Sequence, residues 1–257
     1  MIAAKSFSRN VPVSDLTSIS QQVEALARLK YIVSVKGIGV LTGSPGIGKS
    51  TVVRNLEAAL DKSRYLLCYI NDANLTPKTL YTMLLASLGV APPAYLERMK
   101  KQFRDTVTEL HDTQGKVLIV VIDNAQDLPT ATIIEIRYLY CYDIDCKSIM
   151  SILLLGHQDF WDTLRLRVFE PVFQCVGTHY RMNPLNESQT HEYIRHHLTL
   201  SGLTMSFPED VVKRIHQFSG GIPRVINKLC THCLIDIEGH QLDIVDNTAL
   251  DRVIADC

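Results

Sequence analysis

Five short apolar runs, separated by stretches with helical spacing, dominate the pattern of hydrophobic and polar positions. The runs cover residues 37–42, 65–70, 116–122, 148–155 and 177–185. An unbroken apolar run such as 116–122 is typical of a strand in the middle of a parallel sheet. Because these strands alternate with helices, the sequence predicts an open α/β parallel sheet that carries its ligand at the C-terminal ends of the strands.

The spacing of apolar residues also predicts the helices and the division of the chain. An extended segment at 6–13 and a helix at 18–35 come first, and helices at 50–62, 79–88, 94–113 and 130–141 alternate with the strands. After Asn186 only short helices are predicted, at 187–200, 208–218, 223–237 and 246–255. We therefore expect an N-terminal segment (1–35), an α/β body (36–185) and a small all-α domain (186–257).

One glycine-rich segment in this pattern carries the chemistry. It fits the phosphate-binding P-loop G-x-x-x-x-G-K-[ST], with a strand before it and a helix after it. Glycines let the backbone N–H groups point at phosphate oxygens, and the lysine reaches the β and γ phosphates. The sequence therefore predicts ATP binding, and a chance glycine-rich turn is the weaker alternative. The predicted contact residues are Gly43, Ser44, Pro45, Gly46, Ile47, Gly48, Lys49, Ser50 and Thr51.

Asp123 is the predicted second part of this site. It directly follows the apolar run 116–122 and lies some seventy residues after the P-loop. A carboxylate at the end of a buried strand next to a P-loop can hold Mg²⁺ through its waters, while the Ser50 hydroxyl binds the ion directly. Ser50 and Asp123 are therefore the predicted Mg²⁺ residues.

Charge and cysteine content narrow the class of protein. Lysine and arginine total 26 against 27 acidic residues, so the overall charge does not indicate a polyanion-binding protein, although a local basic face is compatible with it. Seven cysteines favour reduced thiols, and Cys230 and Cys233 fall in a predicted helix, where packing is favoured over metal binding. No signal peptide and no apolar run of membrane length is present, which predicts a cytoplasmic protein.

Several spaced motifs together resemble those of a known family. They are Asp123-x-Ala125-Gln126, Leu155-Gly156, Tyr180-x-Met182-x-Pro184-Leu185 and Gly221-Ile222-Pro223-Arg224-x-Ile226-Asn227. From the P-loop to about residue 238 the chain resembles AAA+ ATPases of the ExeA type, which are similar to the transposition regulators of the MuB and TnsC type.

This resemblance implies a RecA-like αβα body followed by a helical lid. It also implies that Arg224 is the sensor 2 arginine, which contacts the nucleotide from the lid. Members of the group assemble with themselves in an ATP-dependent way, and the transposition members do so on duplex DNA, as a ring or helical filament. The expected partners are therefore duplex DNA, a transposase and further copies of the chain.

Three positions depart from the family pattern. Asn124 stands where a glutamate normally follows the Walker B aspartate, and an amide cannot accept a proton from water. His157 replaces a glutamine at the sensor 1 position, and Cys175 stands where relatives often place an arginine that acts on the neighbouring subunit. Arg165, Arg167 and Arg181 are candidate replacements. With Lys49, Asp123, Asn124 and His157 as the catalytic set, we expect firm ATP binding and slow hydrolysis.

The resemblance places DNA contacts in loops after the second strand and in the segment that follows. The matching basic residues are Lys78, Arg98, Lys100, Lys101 and Arg104. Lys100 and Arg104 are four residues apart on a predicted helix, a spacing that suits contacts with phosphates. A solvated helix face explains the same pattern equally well. The sequence shows no helix-turn-helix or zinc module, so binding would be directed at the DNA backbone.

Two functions fit this sequence. The first is an ATP-dependent regulator that assembles on DNA and recruits or activates a transposase, with slow hydrolysis as a reset. The second is an ExeA-like, secretion-associated ATPase that acts on protein partners without DNA. The chain ends after the lid without a membrane helix or a cell-wall-binding module, which favours the first function.

Overall fold

The computed structural model describes residues 7, 20–72, 74–141, 148–201, 207–240 and 244–255. Apart from Phe7, the predicted extended segment 6–13 lies outside these residues. The described chain forms two compact units. One consists of Glu24–Gly43 and Lys49–Met182 and is called the α/β unit below. The other, the helical unit, contains Ser44–Gly48 and the described residues of 1–23 and 183–257.

The α/β unit is built on a sheet of five parallel strands in the order β2-β3-β4-β1-β5. The strands are β1 (Ile38–Thr42), β2 (Tyr65–Ile70), β3 (Val117–Ile122), β4 (Met150–Gly156) and β5 (Val176–Arg181). The neighbouring strands β3 and β4 are almost wholly buried, as their continuous apolar runs predict. The prediction of a parallel α/β sheet is therefore confirmed.

Strand β5 is shorter than the sequence predicted. The prediction extended it to Leu185, but it ends at Arg181, which pairs with Thr42, the last residue of β1. One further backbone bond follows, from Met182 N–H to the Thr42 carbonyl at 2.8 Å. Beyond it β1 has ended, and Pro184 has no N–H to donate to a ladder.

Helices connect and cover the strands. In the α/β unit they are α1 (Ser20–Val35, from Glu24 onward), α2 (Lys49–Ala59), α3 (Pro77–Ser87), α4 (Leu96–Asp112), α5 (Thr130–Tyr140), α6 (Asp159–Leu164) and α7 (Glu170–Phe173). Short 3-10 turns occur at Ala125–Asp127 and Arg167–Phe169. The helical unit contains α8 (Glu187–Leu200), α9 (Glu209–Ser219), α10 (Pro223–His240) and α11 (Asn247–Ala255).

Alternation along the strands gives the sheet two apolar faces. Residues such as Val40, Val120 and Leu154 belong to one core cluster with the buried residues of α3, α4 and α5. On the other face α1 approaches closely at Gly39, where an added Cβ would lie 3.3 Å from Ile32 Cγ1. Burying each large aliphatic side chain contributes about 1.5–3 kcal/mol to the stability of the fold, so packing on both faces stabilises the sheet.

The helical unit has its own core. Apolar residues of α10 recur at Ile226, Leu229, Cys230, Cys233 and Leu234, and all are buried. Both cysteines therefore pack in this core, as predicted, and burial raises the pKa of the Cys230 thiol. Among the residues that the structure describes, no helix combines the length and apolar character needed to cross a membrane.

Candidate nucleotide-binding site

The P-loop connects β1 to α2 in a conformation that depends on glycine. Gly46 and Gly48 have φ angles of 81° and 109°, values that L side chains rarely adopt. A turn closed by the Ile47 N–H and the Ser44 carbonyl (3.2 Å) contains Gly46. Successive N–H groups in such a turn form an anion-binding concavity, which fits a polyphosphate.

Lys49 begins α2 in the α/β unit. Its ammonium donates to the Gly43 carbonyl with an Nζ–O distance of 2.8 Å. This contact holds the cation at Gly43, the first residue of the P-loop motif, whose lysine binds phosphates.

Arg224 lies at the start of α10 in the helical unit, together with the P-loop residues 44–48. Its N–H donates to the Gly46 carbonyl at 3.2 Å, and its side chain is exposed. A Cβ added to Gly46 would lie only 2.6 Å from Arg224 Cβ. The predicted sensor 2 arginine therefore touches the P-loop directly, and Gly46 is needed both for its φ angle and for this contact. The role of Arg224 toward the nucleotide stays a prediction.

Asp123 is the centre of a cluster of polar groups in the α/β unit, which also includes Ser50, Tyr69 and the Asn124 N–H. Its side chain is only 7% exposed. Oδ1 accepts from the Asn124 N–H (2.8 Å), and Oδ2 accepts from the Ser50 hydroxyl (3.1 Å) and from the Tyr69 hydroxyl. The structure thus brings together Ser50 and Asp123, the two residues predicted from sequence to hold Mg²⁺.

Tyr69 was not predicted as part of the site. It lies near the end of β2, between the buried residues Cys68 and Ile70, and β2 pairs with β3 up to Ile70 and Ile122. Strand alternation places its side chain on the opposite face from theirs, but its contact with Asp123 depends on the register in which β2 pairs with β3. Burial and the Asp123 carboxylate raise the pKa of Tyr69 to about 12, so its hydroxyl is protonated at neutral pH.

The donor set suits a hard divalent cation. Hydroxyl and carboxylate oxygens, which Ser50 and Asp123 supply within the α/β unit, are preferred Mg²⁺ ligands. Ser50 would bind Mg²⁺ directly and Asp123 would hold its waters. When bound, Mg²⁺ neutralises charge on the phosphate oxygens.

Asn124 adopts a left-handed backbone conformation, with φ 55° and ψ 41°. Asparagine is among the few residues that tolerate this region. Its side-chain Nδ2 donates to Asn71 Oδ1 at 2.9 Å, just beyond the end of β2. The amide is thereby tied to a neighbouring strand end, and as an amide it cannot serve as a general base.

His157 follows β4 and is joined to the segment after Asp123. Its N–H donates to Gln126 Oε1 at 2.9 Å, and its Nδ1 lies 3.1 Å from Asp159 Oδ2. Gln126 of the DxAQ motif therefore links the ends of β3 and β4. The sensor 1 role of His157 stays a prediction.

The arginines considered as replacements for Cys175 differ in their surroundings. Arg181 donates to Gln158 Oε1 at 2.8 Å, whereas Arg165 and Arg167 are exposed in the segment between α6 and α7. The Cys175 thiol donates to the Pro171 carbonyl (3.3 Å), a contact within its own segment.

The basic residues predicted to contact DNA also fall into two groups. Lys78 on α3 is exposed, as are Arg98, Lys101 and Arg104 on α4. Lys100 instead directs its ammonium at the nearly buried Glu135 of α5, 3.0 Å away. In this fold the Lys100 ammonium therefore contacts Glu135, which the four-residue spacing from Arg104 did not predict.

A histidine beside the P-loop strand is held in its neutral form. His179 Nε2 lies 2.8 Å from Thr42 Oγ1, and its ring stacks on Trp161 with 3.9 Å between centroids. Burial, followed by the charge of Arg181, lowers the pKa of His179, while Asp162 acts in the opposite direction.

This environment predicts an acid-sensitive contribution to stability. Unfolded His179 would take up a proton at its ordinary pKa near 6.5, before the folded protein does, so the contribution is fully present above pH 6.5 and is lost as pH falls through the lower folded pKa. Thermal unfolding followed by the only tryptophan should show the midpoint falling below pH 6.5. His179→Gln should lack this part of the pH dependence. An identical pH profile for both proteins would contradict the prediction.

Most of the chain is similar to known proteins. The family model described as AAA domain matches residues 32–164, which is more than half of the chain. General secretion pathway protein A of Aeromonas hydrophila is 30% identical over 216 residues, which cover 82% of this chain and 39% of that protein. The chain thus spans about two fifths of the length of this curated relative.

Solved structures share the fold. Cdc6p of Pyrobaculum aerophilum has a TM-score of 0.73 at 15% identity and covers 98% of this chain and 70% of its own. The Aeropyrum pernix ORC1 protein, solved in complex with DNA, has a TM-score of 0.73 at 16% identity. This match covers 98% of this chain and 68% of the ORC1 chain. The Thermotoga maritima RuvB branch migration motor has a TM-score of 0.60 at 14% identity, and the match covers 92% of this chain and 68% of the RuvB chain. These likenesses confirm the expected RecA-like P-loop fold with C-terminal helices, and the family match shows that the chain belongs to the AAA domain family of AAA+ ATPases.

Proposed function

We propose that this protein is an ATP-dependent AAA+ regulator of DNA transposition. It binds ATP with Mg²⁺, assembles with further copies on duplex DNA and recruits or activates a transposase, as the MuB and TnsC type regulators do. Slow ATP hydrolysis resets the assembly. Its place of action is the cytoplasm.

The polar cluster around Asp123 is the observation that carries the nucleotide part of the proposal. Ser50 Oγ and Asp123 Oδ2 are 3.1 Å apart, and Lys49 begins the same helix as Ser50. A hydroxyl, a carboxylate and a lysine in this arrangement supply the groups that bind the phosphates and the metal ion of a nucleoside triphosphate.

The residue after Asp123 supports a switch with slow turnover. Asn124 occupies the place of the usual general base, and its amide is bonded to Asn71 (2.9 Å). It can orient a water molecule but cannot take its proton. A triphosphate bound at such a site persists, which suits a nucleotide whose main effect is to hold an assembly together.

Exposed basic residues support the DNA part of the proposal. Arg98, Lys101 and Arg104 follow one another at three-residue intervals along α4, a spacing that keeps them near one side of the helix. Contacts of this kind go to phosphates and carry little sequence preference. The fold is shared with the ORC1 protein solved in complex with DNA.

Sedimentation of the purified protein tests the proposal directly. The protein is spun with and without duplex DNA in ATP, ADP or a non-hydrolysable ATP analogue, and phosphate release is followed in parallel. Large species that require both DNA and a triphosphate, with slow release, would support the proposal. A protein that stays small in every nucleotide, with or without DNA, would refute it.

A triple replacement tests the proposed DNA face. Changing Arg98, Lys101 and Arg104 to alanine should weaken duplex binding by about 10- to 100-fold at 0.1 M salt and lower the slope of log K against log salt by about 2 to 3. Fluorescence anisotropy of a labelled duplex at several salt concentrations measures both quantities. Lys213→Ala with Lys228→Ala, two exposed lysines of the helical unit, is the control and should change neither. Equal losses in both variants would mean that the effect is one of overall charge.

A second candidate function follows from one comparison. The relative that is 30% identical over 216 residues is named General secretion pathway protein A. An ExeA-like ATPase would use the same nucleotide site to assemble on protein partners, without DNA. Nucleotide-dependent assembly that is unaffected by duplex DNA in the sedimentation experiment would favour this function.

A further inference from the structure

We propose that Tyr69 is a positioning residue of the Mg²⁺ site, which occupies an acceptor position on Asp123 and thereby raises the Mg²⁺ concentration needed to fill the site. The inference rests on the proposed binding of ATP with Mg²⁺. It concerns a side chain on β2 that belongs to neither the P-loop nor the segment around Asp123.

The hydrogen bonds of Asp123 limit the number of carboxylate acceptor positions that remain for the waters of a metal ion. An ionised carboxylate offers about four acceptor positions. Three of them are used within the α/β unit, by the Asn124 N–H on Oδ1 and by the Ser50 and Tyr69 hydroxyls on Oδ2. About one position is then left for the metal-bound waters through which a carboxylate in this place holds Mg²⁺.

Ser50 and Tyr69 differ in whether they can share Asp123 with the metal. A serine hydroxyl has one proton to donate and two lone pairs, so Ser50 can keep its bond to Oδ2 while a lone pair faces Mg²⁺. Tyr69 is not among the predicted Mg²⁺ ligands, and its hydroxyl takes up acceptor capacity on Oδ2. Its hydroxyl therefore competes with the waters of the ion for Oδ2.

The setting of Tyr69 allows this competition to be reversible. Its neighbours Cys68 and Ile70 are buried in the core cluster, whereas Tyr69 is 44% exposed. The ring can leave Asp123 without opening the core. Tyr69 thus holds the carboxylate in place and gives up its position when the site fills.

Tyr69→Phe removes the hydroxyl and leaves the ring. At a fixed concentration of a fluorescent ATP analogue, the free Mg²⁺ concentration that gives half of the Mg²⁺-dependent anisotropy change should fall by about 10- to 100-fold, the effect expected for one hydrogen bond to a charged group. Affinity for the analogue in EDTA should be unchanged. Tyr65→Phe, at the other end of β2, is the matched control and should resemble the wild type. Tyr69→Leu, which also lacks the hydroxyl, should show the same fall.

The outcomes separate this inference from the proposed function. A wild-type protein whose affinity for the analogue does not respond to Mg²⁺ would overturn both. A normal Mg²⁺ response in the wild type, with an unchanged or raised Mg²⁺ requirement in Tyr69→Phe, would overturn the inference alone. Weaker binding of Tyr69→Phe in EDTA as well would show a structural role for the hydroxyl and would also overturn it.

Discussion

Lys49→Ala is expected to weaken ATP binding by about 100-fold. Lys49 begins α2, and its ammonium donates to the Gly43 carbonyl at 2.8 Å, at the start of the P-loop. Hydrogen bonds to charged groups contribute about 1.5–3 kcal/mol each, and 2.7 kcal/mol corresponds to about 100-fold in affinity. Titration of a fluorescent ATP analogue in the presence of Mg²⁺ measures the loss, and assembly on DNA should be lost at nucleotide concentrations that saturate the wild type.

The same change has a consequence for thermal stability. At a nucleotide concentration of 100 times the wild-type Kd, binding adds about 2.7 kcal/mol to the wild type, whereas at its own Kd the variant gains only about 0.4 kcal/mol. Without nucleotide, any difference between the two proteins reports the lost interactions of the Lys49 ammonium, among them its bond to the Gly43 carbonyl.

Lys62→Ala provides the control for this experiment. Lys62 is exposed just beyond α2, so its replacement removes the same charge outside the loop. Its nucleotide affinity should equal that of the wild type. Comparable losses in Lys49→Ala and Lys62→Ala would contradict a specific role for Lys49.

Patterns local in sequence predicted the fold, and they pointed to two residues that the structure brings together. The apolar run 116–122 identified β3, and Asp123 at its end proved to lie within hydrogen-bonding distance of Ser50. Both conclusions depend on neighbouring residues: a run of apolar side chains sets a strand, and the ends of parallel strands meet at one edge of the sheet.

Contacts between residues distant in sequence were not predictable in this way. Tyr69 reaches Asp123 because β2 and β3 pair in a particular register, which no local pattern specifies. Lys100 is directed at Glu135, 35 residues later, because α4 and α5 are brought together by the core. Arg224 meets Gly46 only once the helical unit has formed.

Some glycines have a reason that only the structure supplies. Gly221 has a φ of 72°, and an added Cβ would lie 2.0 Å from the Leu185 carbonyl oxygen. The backbones of the two residues are also joined, since Leu185 N–H donates to the Gly221 carbonyl (2.9 Å). The sequence GIPR could be recognised as a motif, but the close approach that excludes a side chain lies between residues 36 positions apart.

Asn124→Glu is expected to speed ATP hydrolysis by about 100-fold. The replacement supplies, directly after Asp123, a carboxylate that can accept a proton from the attacking water, and general base catalysis contributes about 10²–10⁴ in rate. It also has a cost. Asn124 is left-handed and bonded to Asn71, and glutamate tolerates that conformation less well, by about 1 kcal/mol. Phosphate release at saturating ATP measures the gain, and assemblies on DNA should dissociate correspondingly faster.

Asn124→Gln separates the chemistry from the conformational change. Glutamine has the length of glutamate and meets the same backbone restriction, but its amide cannot accept the proton. It should therefore lose stability like Asn124→Glu while hydrolysing ATP no faster than the wild type. Equal acceleration in both variants would show that release of the Asn71 contact controls the rate. If neither variant is faster, position 124 does not face the attacking water. Slow turnover must then have another cause, and the exposed Arg165 and Arg167 are the residues to replace next.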